Sequence, residues 1–265
     1  MTRVLKTTYV VVILLMLLAP LAVVAAVSLN GAQSLRFPPR DLSLRWYGEL
    51  FQQSEWLVPL AHSLIIAACA AALAVVIALP LALYAWERRG LMARLLTGLG
   101  LAPFTLPPVI SALGFMIFWM TLGGYGQIYA TILSHAIFLV TLPLVTISLG
   151  LGGLDRALIE AARVMGANRW TVFRTVIAPL LLPYVISGYA FAFVLSLNEY
   201  IIAYMVAGFT VETLPIKIFN ALRYGYTPIL AVVSVIFAAL SALIFGLIGK
   251  FGNLPALLGA ERIGK

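Results

Sequence analysis

Six apolar stretches, each long enough to cross a lipid bilayer, decide what this chain can fold into. A hydrocarbon core of about 30 Å takes about 20 helical residues to span. The stretches run approximately from Tyr9 to Leu29, Leu57 to Trp86, Leu95 to Leu122, Gln127 to Leu149, Leu180 to Ala207 and Tyr226 to Gly249, and none contains a lysine or an arginine. In lipid the backbone has no water to bond, so each segment must satisfy its own N–H and C=O groups as a helix. The chain is therefore predicted to be an all-α membrane protein with six transmembrane helices. Pro80, Pro103, Pro107, Pro108 and Pro143 interrupt the stretches. Neighbouring helices re-satisfy the backbone groups that proline frees, so kinks are expected at these positions and not loops.

Composition agrees, with 63% hydrophobic and 10% charged residues against about half and a quarter in soluble domains. The net charge of +8 does not indicate a nucleic-acid partner, because the seventeen basic residues are scattered between the apolar stretches and build no basic face with interleaved aromatics. Their distribution carries orientation instead, since short cytoplasmic loops hold the Lys/Arg excess. Twelve fall on one side, at the N-terminus (Arg3, Lys6), in the second-to-third connection (Arg88, Arg89, Arg94), in the fourth-to-fifth (Arg156, Arg163, Arg169, Arg174) and in the tail (Lys250, Arg262, Lys265). The other side holds five, Arg36, Arg40, Arg45, Lys217 and Arg223, so both termini are expected in the cytoplasm. Met1 to Ala26 also has the basic start, apolar centre and small residues of a signal peptide. Its apolar run is longer than a usual signal core, and only the six-span count reproduces the charge asymmetry, so it reads as an uncleaved anchor.

Catalytic chemistry is not in evidence. No Walker loop, HExxH or CxxC occurs, and the lone Cys69 has no partner for a disulfide or a metal cluster and reads as a small packing residue. His62 and His135 lie far apart in apolar stretches and read as hydrogen-bonded packing residues. The chain is expected to be no enzyme and to hold no metal or cofactor. Energy for active transport would then come from an ion gradient or from another polypeptide.

The connection from Gly150 to Pro183 is too long for a turn and contains DRALIEAARVMGANRW from Asp155 to Trp170. Asp155 is placed to cap a helix through Val164, Gly166 to end it at positive φ, and Asn168 to cap a second helix toward Ile177. Two short helices with a bend are predicted. On the first, Ala161 and Ala162 leave a shallow surface while Leu158, Ile159 and Met165 offer apolar knobs to a partner's groove. An amphipathic loop that lies on the membrane is the alternative.

EAARVMG, followed after nine residues by VIAP, resembles the EAA motif of binding-protein-dependent ABC permeases. Glu160, Ala161, Ala162, Gly166 and Pro179 match that motif, while Val176 replaces the usual Ile and Ala178 the usual Leu. FPPRDLSLRWYGELF, HSLIIA, ERRG, APFTLPPVISALGF and SLNEYIIAYMVAGFTVETLPIKIF extend the resemblance, in order, to permeases of the spermidine/putrescine type, with His62 where that family usually has Asn. The resemblance implies the type I ABC importer permease (MetI-like) fold in the bacterial cytoplasmic (inner) membrane, with a cytoplasmic coupling helix that docks on an ATPase. Coupling would fall to Glu160, Ala161, Ala162 and Gly166, with Leu158 and Met165 beside them. Residues 1–56 would form an N-terminal transmembrane helix that wraps a partner, with an external loop. Residues 57–250 would form a five-helix core with the coupling loop at 150–179, and 251–265 a cytoplasmic tail. The implied partners are a second permease, two ATPase subunits that bind the ATP, and an external solute-binding protein. The implied cargo is a polyamine, with an opine, an amino-acid-derived compound or ferric iron as alternatives. An ion-coupled secondary transporter would need its own ion-coupling residues near the midplane and usually shows repeated halves, and neither is found.

One formally charged residue, Glu199, lies within the six stretches. An acid at mid-membrane costs about 2.5 to 3.5 kcal/mol on insertion scales, so it should face a cavity or find a partner. On a continuous helix from Leu180 it would lie about 29 Å along, toward the external mouth. It is read as part of a solute pathway with Ser196, Asn198 and Tyr200. The alternative is an interfacial acid paired with Lys217 or Arg223, or bonded to Asn198 and Tyr200.

Overall fold

The structure is a computed structural model that describes residues 3–34, 36–52, 54–88, 90–224 and 228–251. Arg89, Tyr226 at the start of the sixth stretch, and Arg262 and Lys265 of the expected tail lie outside them. The described residues are helical apart from the connections between helices, the longest of them residues 29–44, which carries one isolated antiparallel bridge, Asn30 with Leu42. Two compact units divide the chain, residues 1–60 with 216–242 and residues 61–215 with 243–265.

In the first unit, α1 (Arg3–Ser28) presents apolar side chains on almost its whole circumference, as expected of a helix whose neighbours are lipid or another subunit. Its end is fastened by the segment that follows. Ser43 N–H donates to Leu29 O at 2.7 Å, the Asn30 amide donates to Ser34 O and Arg36 O, and Trp46 Nε1 of α2 (Arg45–Gln52) donates to Asn30 O at 2.7 Å. The sequence reading treats this segment as a loop, yet α2 is amphipathic and buries Trp46 and Leu50. Lys217, considered above as a partner for Glu199, instead pairs with Glu55 at 3.5 Å and lies over the Trp56 ring.

The second unit is a bundle of α3 (Ser54–Glu87, entering it at Ala61), α4 (Leu91–Thr105), α5 (Pro108–Thr121), α6 (Ile128–Leu139), α7 (Thr141–Gly152), α8 (Arg156–Val164), α9 (Arg169–Val172), α10 (Ala178–Asn198) and α11 (Ile201–Ala207). A π-helical turn, Phe173–Ile177, joins α9 to α10. Helices α7 and α10 run closely together, since a Cβ on Gly188 would meet the Pro143 Cα at 2.6 Å. Two apolar clusters fill the bundle. One gathers Ala78, Leu144, Ile147, Leu151 and Leu181 toward α8; the other gathers Trp119, Leu139, Ala192, Ile202 and Val206 around α11. After α11 come α12 (Leu214–Tyr224) and α13 (Ile229–Phe251).

Among the described residues three helices are long and apolar enough to span a bilayer unbroken, Val4–Ser28, Glu55–Glu87 and Arg169–Asn198, and two bent pairs raise the number to five. The sixth expected span falls on α13, whose apolar described part is the shorter Ile229–Ile244. Proline has three different outcomes. At Pro80 the helix continues, at Val140 before Pro143 the axis bends by 41°, and at Leu106–Pro107 it turns by 105° between α4 and α5. The last is a break and not the expected kink, because the two adjacent prolines remove consecutive N–H donors and hold Leu106 in extended backbone. The fifth stretch is also interrupted. Helix α10 ends at Asn198, and Glu199 is extended before α11 begins, so the acid does not sit on the continuous helix expected from Leu180. Cys69, expected to pack, is exposed on α3.

Candidate functional site

Two regions of the second unit carry the residues singled out in the sequence. The first is α8. Asp155 Oδ1 accepts from Ala157 N–H at 2.9 Å, and Asn168 Oδ1 accepts from Thr171 N–H at 2.9 Å, so both expected caps form. Gly166 has φ +86°, and the last turn closes with Gly166 N–H on Arg163 O and Ala167 N–H on Ala162 O, a Schellman pair. The second short helix is not separate, because from Arg169 the chain continues without a break through Asn198. The loop is thus one short helix and a bend, followed directly by the fifth span.

Side chains on α8 divide by face. Ile159 and Ala162 are 6% and 7% exposed and pack into the cluster with Leu151, Val172 and Ile177. They hold the helix to the bundle, so both lie on its inward face and not on the exposed surface expected for them. Leu158 and Met165 are 51% and 81% exposed, and Glu160 and Ala161 lie outward with them. Among the expected coupling residues, those four and the Gly166 bend form one outward ridge.

The second region is the break after Asn198. Glu199 turns back on the start of α11. Its Oε1 accepts from Ile201 and Ile202 N–H, both at 3.0 Å, and its Oε2 from Ile202 at 2.9 Å and Ala203 at 3.1 Å. These N–H groups have no partner within their own helix, so the carboxylate supplies what the break removed. His135 of α6 brings Nε2 within 3.3 Å of Glu199 Oε2, ion-pair reach without hydrogen-bond alignment, while its Nδ1 bonds Ser196 Oγ at 2.8 Å. Ser196 is buried behind the acid, Asn198 donates to Val194 O at 2.8 Å, and Tyr200 stacks on Tyr204.

A cavity of about 560 Å³ opens beside this acid and is lined by Asn198, Glu199 and Tyr200 on one wall and by Leu106 and Pro108 on the other. The two broken spans therefore meet at one cavity. Of the expected pathway residues, Asn198, Glu199 and Tyr200 line it and Ser196 does not. His135 was missed as part of this group because 61 residues separate it from Ser196. A signal existed: a lone intramembrane acid needs a partner, and the two histidines are the only other ionisable nitrogens in the apolar stretches.

Residues 74–252 match the family described as binding-protein-dependent transport system inner membrane component. The chain is 31% identical over 204 residues to the spermidine/putrescine transport system permease protein PotC of Haemophilus influenzae, covering 76% of this chain and 79% of that one. It is 32% identical over 277 residues to the putrescine transport system permease protein PotI of Escherichia coli K12, covering 97% and 93%. The fold is similar to a chain of a bacterial ABC transporter involved in the import of the acidic polysaccharide alginate, with TM-score 0.73, 14% identity, and 95% and 98% of the two chains covered.

Proposed function

Because the chain belongs to the binding-protein-dependent inner-membrane transport components, a family of multi-pass ABC importer permeases, we propose that it passes a polyamine across the bacterial inner membrane. The observation that carries the cargo is the likeness to a putrescine permease along 97% of the chain. A cavity with a single carboxylate where two spans break suits a polycation. Discontinuous helices at a transport site leave backbone groups free to line a path, and a charge inside the membrane is tolerated only where it has a partner or faces such a path. The Glu199 lone pairs already accept four backbone N–H contacts, so the carboxylate attracts an ammonium group through its field and does not bind it tightly. A transported ion must leave as readily as it enters.

In this reading Glu160, Ala161, Gly166, Leu158 and Met165 form the face that receives motion from an ATPase, and Ala162 anchors that face from behind. ATP binds the ATPase and the permease holds no cofactor. Two ATPase subunits, a second, related permease and an external binding protein complete the importer, with selectivity residing mainly in the binding protein. Both termini lie in the cytoplasm.

Uptake by the reconstituted complex tests the cargo: labelled spermidine or putrescine should accumulate only with ATP and the binding protein. Transport of neither polyamine would remove the cargo assignment. Sidedness is tested separately in a Cys69-free background. A cysteine at Gln33 should react with an impermeant thiol reagent in intact cells, and one at Asn168 only after permeabilisation. The reverse pattern would overturn the orientation.

A further inference from the structure

Beside α8 lies a recess of about 430 Å³ where the end of α3 meets the short helix. Arg88, Arg156, Arg163 and Arg169 line it, against the carboxylates of Glu87 and Glu160. None of the four guanidiniums is ion-paired among the described residues. Arg156 lies over the Trp86 ring, 5.5 Å from its centroid, which holds one guanidinium at the level where the span α3 ends. Tryptophan is enriched at that level of a bilayer, where lipid phosphates lie.

A second hollow, of about 520 Å³, shares Arg88 with the first and runs down α4. Arg88 and Arg94 line it together with Gly90, Ala93, Thr97, Gly98 and Leu101. Gly90, Ala93, Thr97 and Leu101, three or four residues apart, lie on one face of the helix, with Gly98 beside them. From Gly90 to Leu101 the helix descends about 16 Å at 1.5 Å per residue, about the depth of one leaflet of the hydrocarbon core. Gly98 leaves the hollow open, with no atom within 4 Å of where a Cβ would stand.

We infer that these two hollows form one site for an anionic phospholipid, its phosphate among the arginines beside α8 and an acyl chain along the small-residue face of α4. Charge complementarity selects the headgroup, and the adjoining hollow of leaflet depth selects a lipid over a free anion. Guanidinium forks suit phosphate oxygens, and basic pockets between spans at a membrane surface are known to take such headgroups. The site would tie the outward ridge of α8 to the lipid composition of the leaflet beside it. The inference rests on the bilayer-spanning reading alone and needs neither the polyamine nor the sidedness assignment.

The test uses the assembled importer in detergent, offered phosphatidylglycerol and phosphatidylcholine with identical chains, with retained lipid counted by native mass spectrometry. The wild type should retain phosphatidylglycerol in preference. Arg88→Gln should lower that retention about fivefold, the effect of removing one cation near an anionic headgroup, and leave phosphatidylcholine unchanged. Gly98→Leu, whose Cβ would meet no atom within 4 Å and whose longer side chain would occupy the groove, should lower it as much, while Gly98→Ala should not. Equal retention of the two lipids by the wild type would overturn the site. So would displacement by millimolar inorganic phosphate with Gly98→Leu without effect, the behaviour of a free-anion pocket. If Arg88→Gln fails to assemble, the Gly98 pair decides alone.

Discussion

Helix α8 and the Glu199 break are both places where a helix ends and polar groups take over, but they are held in opposite ways. At α8 the polar work is local: Asp155, Gly166 and Asn168 satisfy backbone groups within a few residues of themselves, and the outward ridge stays free. At the break the carboxylate caps α11, the helix that follows it, but its other partner, His135, comes from another span and is buried, with its Nδ1 bonded to Ser196. The first arrangement suits a surface that must be received by another protein, and the second suits a charge that must survive inside a membrane. Damage should therefore act differently in the two regions. Changes at α8 should uncouple a protein that is otherwise intact, whereas changes at the break should weaken both the path and the packing around it.

The largest expected effect is at Gly166. A Cβ there would meet no atom within 4 Å, but valine must adopt φ +86°. For a β-branched residue that conformation costs roughly 1 to 3 kcal/mol, enough to displace a two-turn helix from its seat. Gly166→Val should abolish ATP-driven uptake with membrane insertion retained, as read by vesicle transport and by the amount of permease in the membrane. Gly166→Asn, which tolerates left-handed backbone, should keep a substantial part. Equal activity of the two variants would show that the bend is not what α8 contributes.

At the break the expected effect is smaller and graded. Glu199→Gln keeps the shape and removes the charge, and polyamine uptake should fall severalfold while binding-protein-stimulated ATP hydrolysis persists. Glu199→Ala also strips the cap from Ile201, Ile202 and Ala203, and each buried N–H left unbonded costs about 1 to 3 kcal/mol. It should therefore lose thermal stability that the Gln variant keeps, measured as the unfolding midpoint in detergent. Uptake by Glu199→Gln at the wild-type rate would leave the acid a structural cap and remove it from the path.

The same contrast explains what the sequence made legible. The first two spans, the α8 caps and the positive φ of Gly166 depend on patterns within a few residues, and each appears where the sequence places it, whereas the third and fifth stretches are broken. The inward turn of Ile159 and Ala162 was not legible, because it depends on where α7 and α10 place Leu151 and Leu181. The break at Leu106–Pro107 was half legible: the paired prolines were noted, but whether a span kinks or turns by 105° is decided by the helices packed against it. His135 with Glu199 was the least legible, since the contact joins α6 to the end of α10 and no local spacing encodes it.

The smallest effect should come from Ser196, and it separates two roles that the larger changes confound. Ser196 Oγ bonds His135 Nδ1 at 2.8 Å and lines no part of the cavity, so removing it leaves the Glu199 charge, its four backbone contacts and the cavity wall in place. A hydrogen bond of this kind contributes about 0.5 to 1.5 kcal/mol net. If the acid acts through its field alone, Ser196→Ala should lower polyamine uptake by less than about threefold and shift the unfolding midpoint slightly. If the orientation of His135 governs how the carboxylate meets a cation, the same variant should approach the loss seen in Glu199→Gln while the midpoint stays near that of the wild type. Measuring both quantities on the one variant distinguishes a histidine that fills space beside a charge from one that positions it.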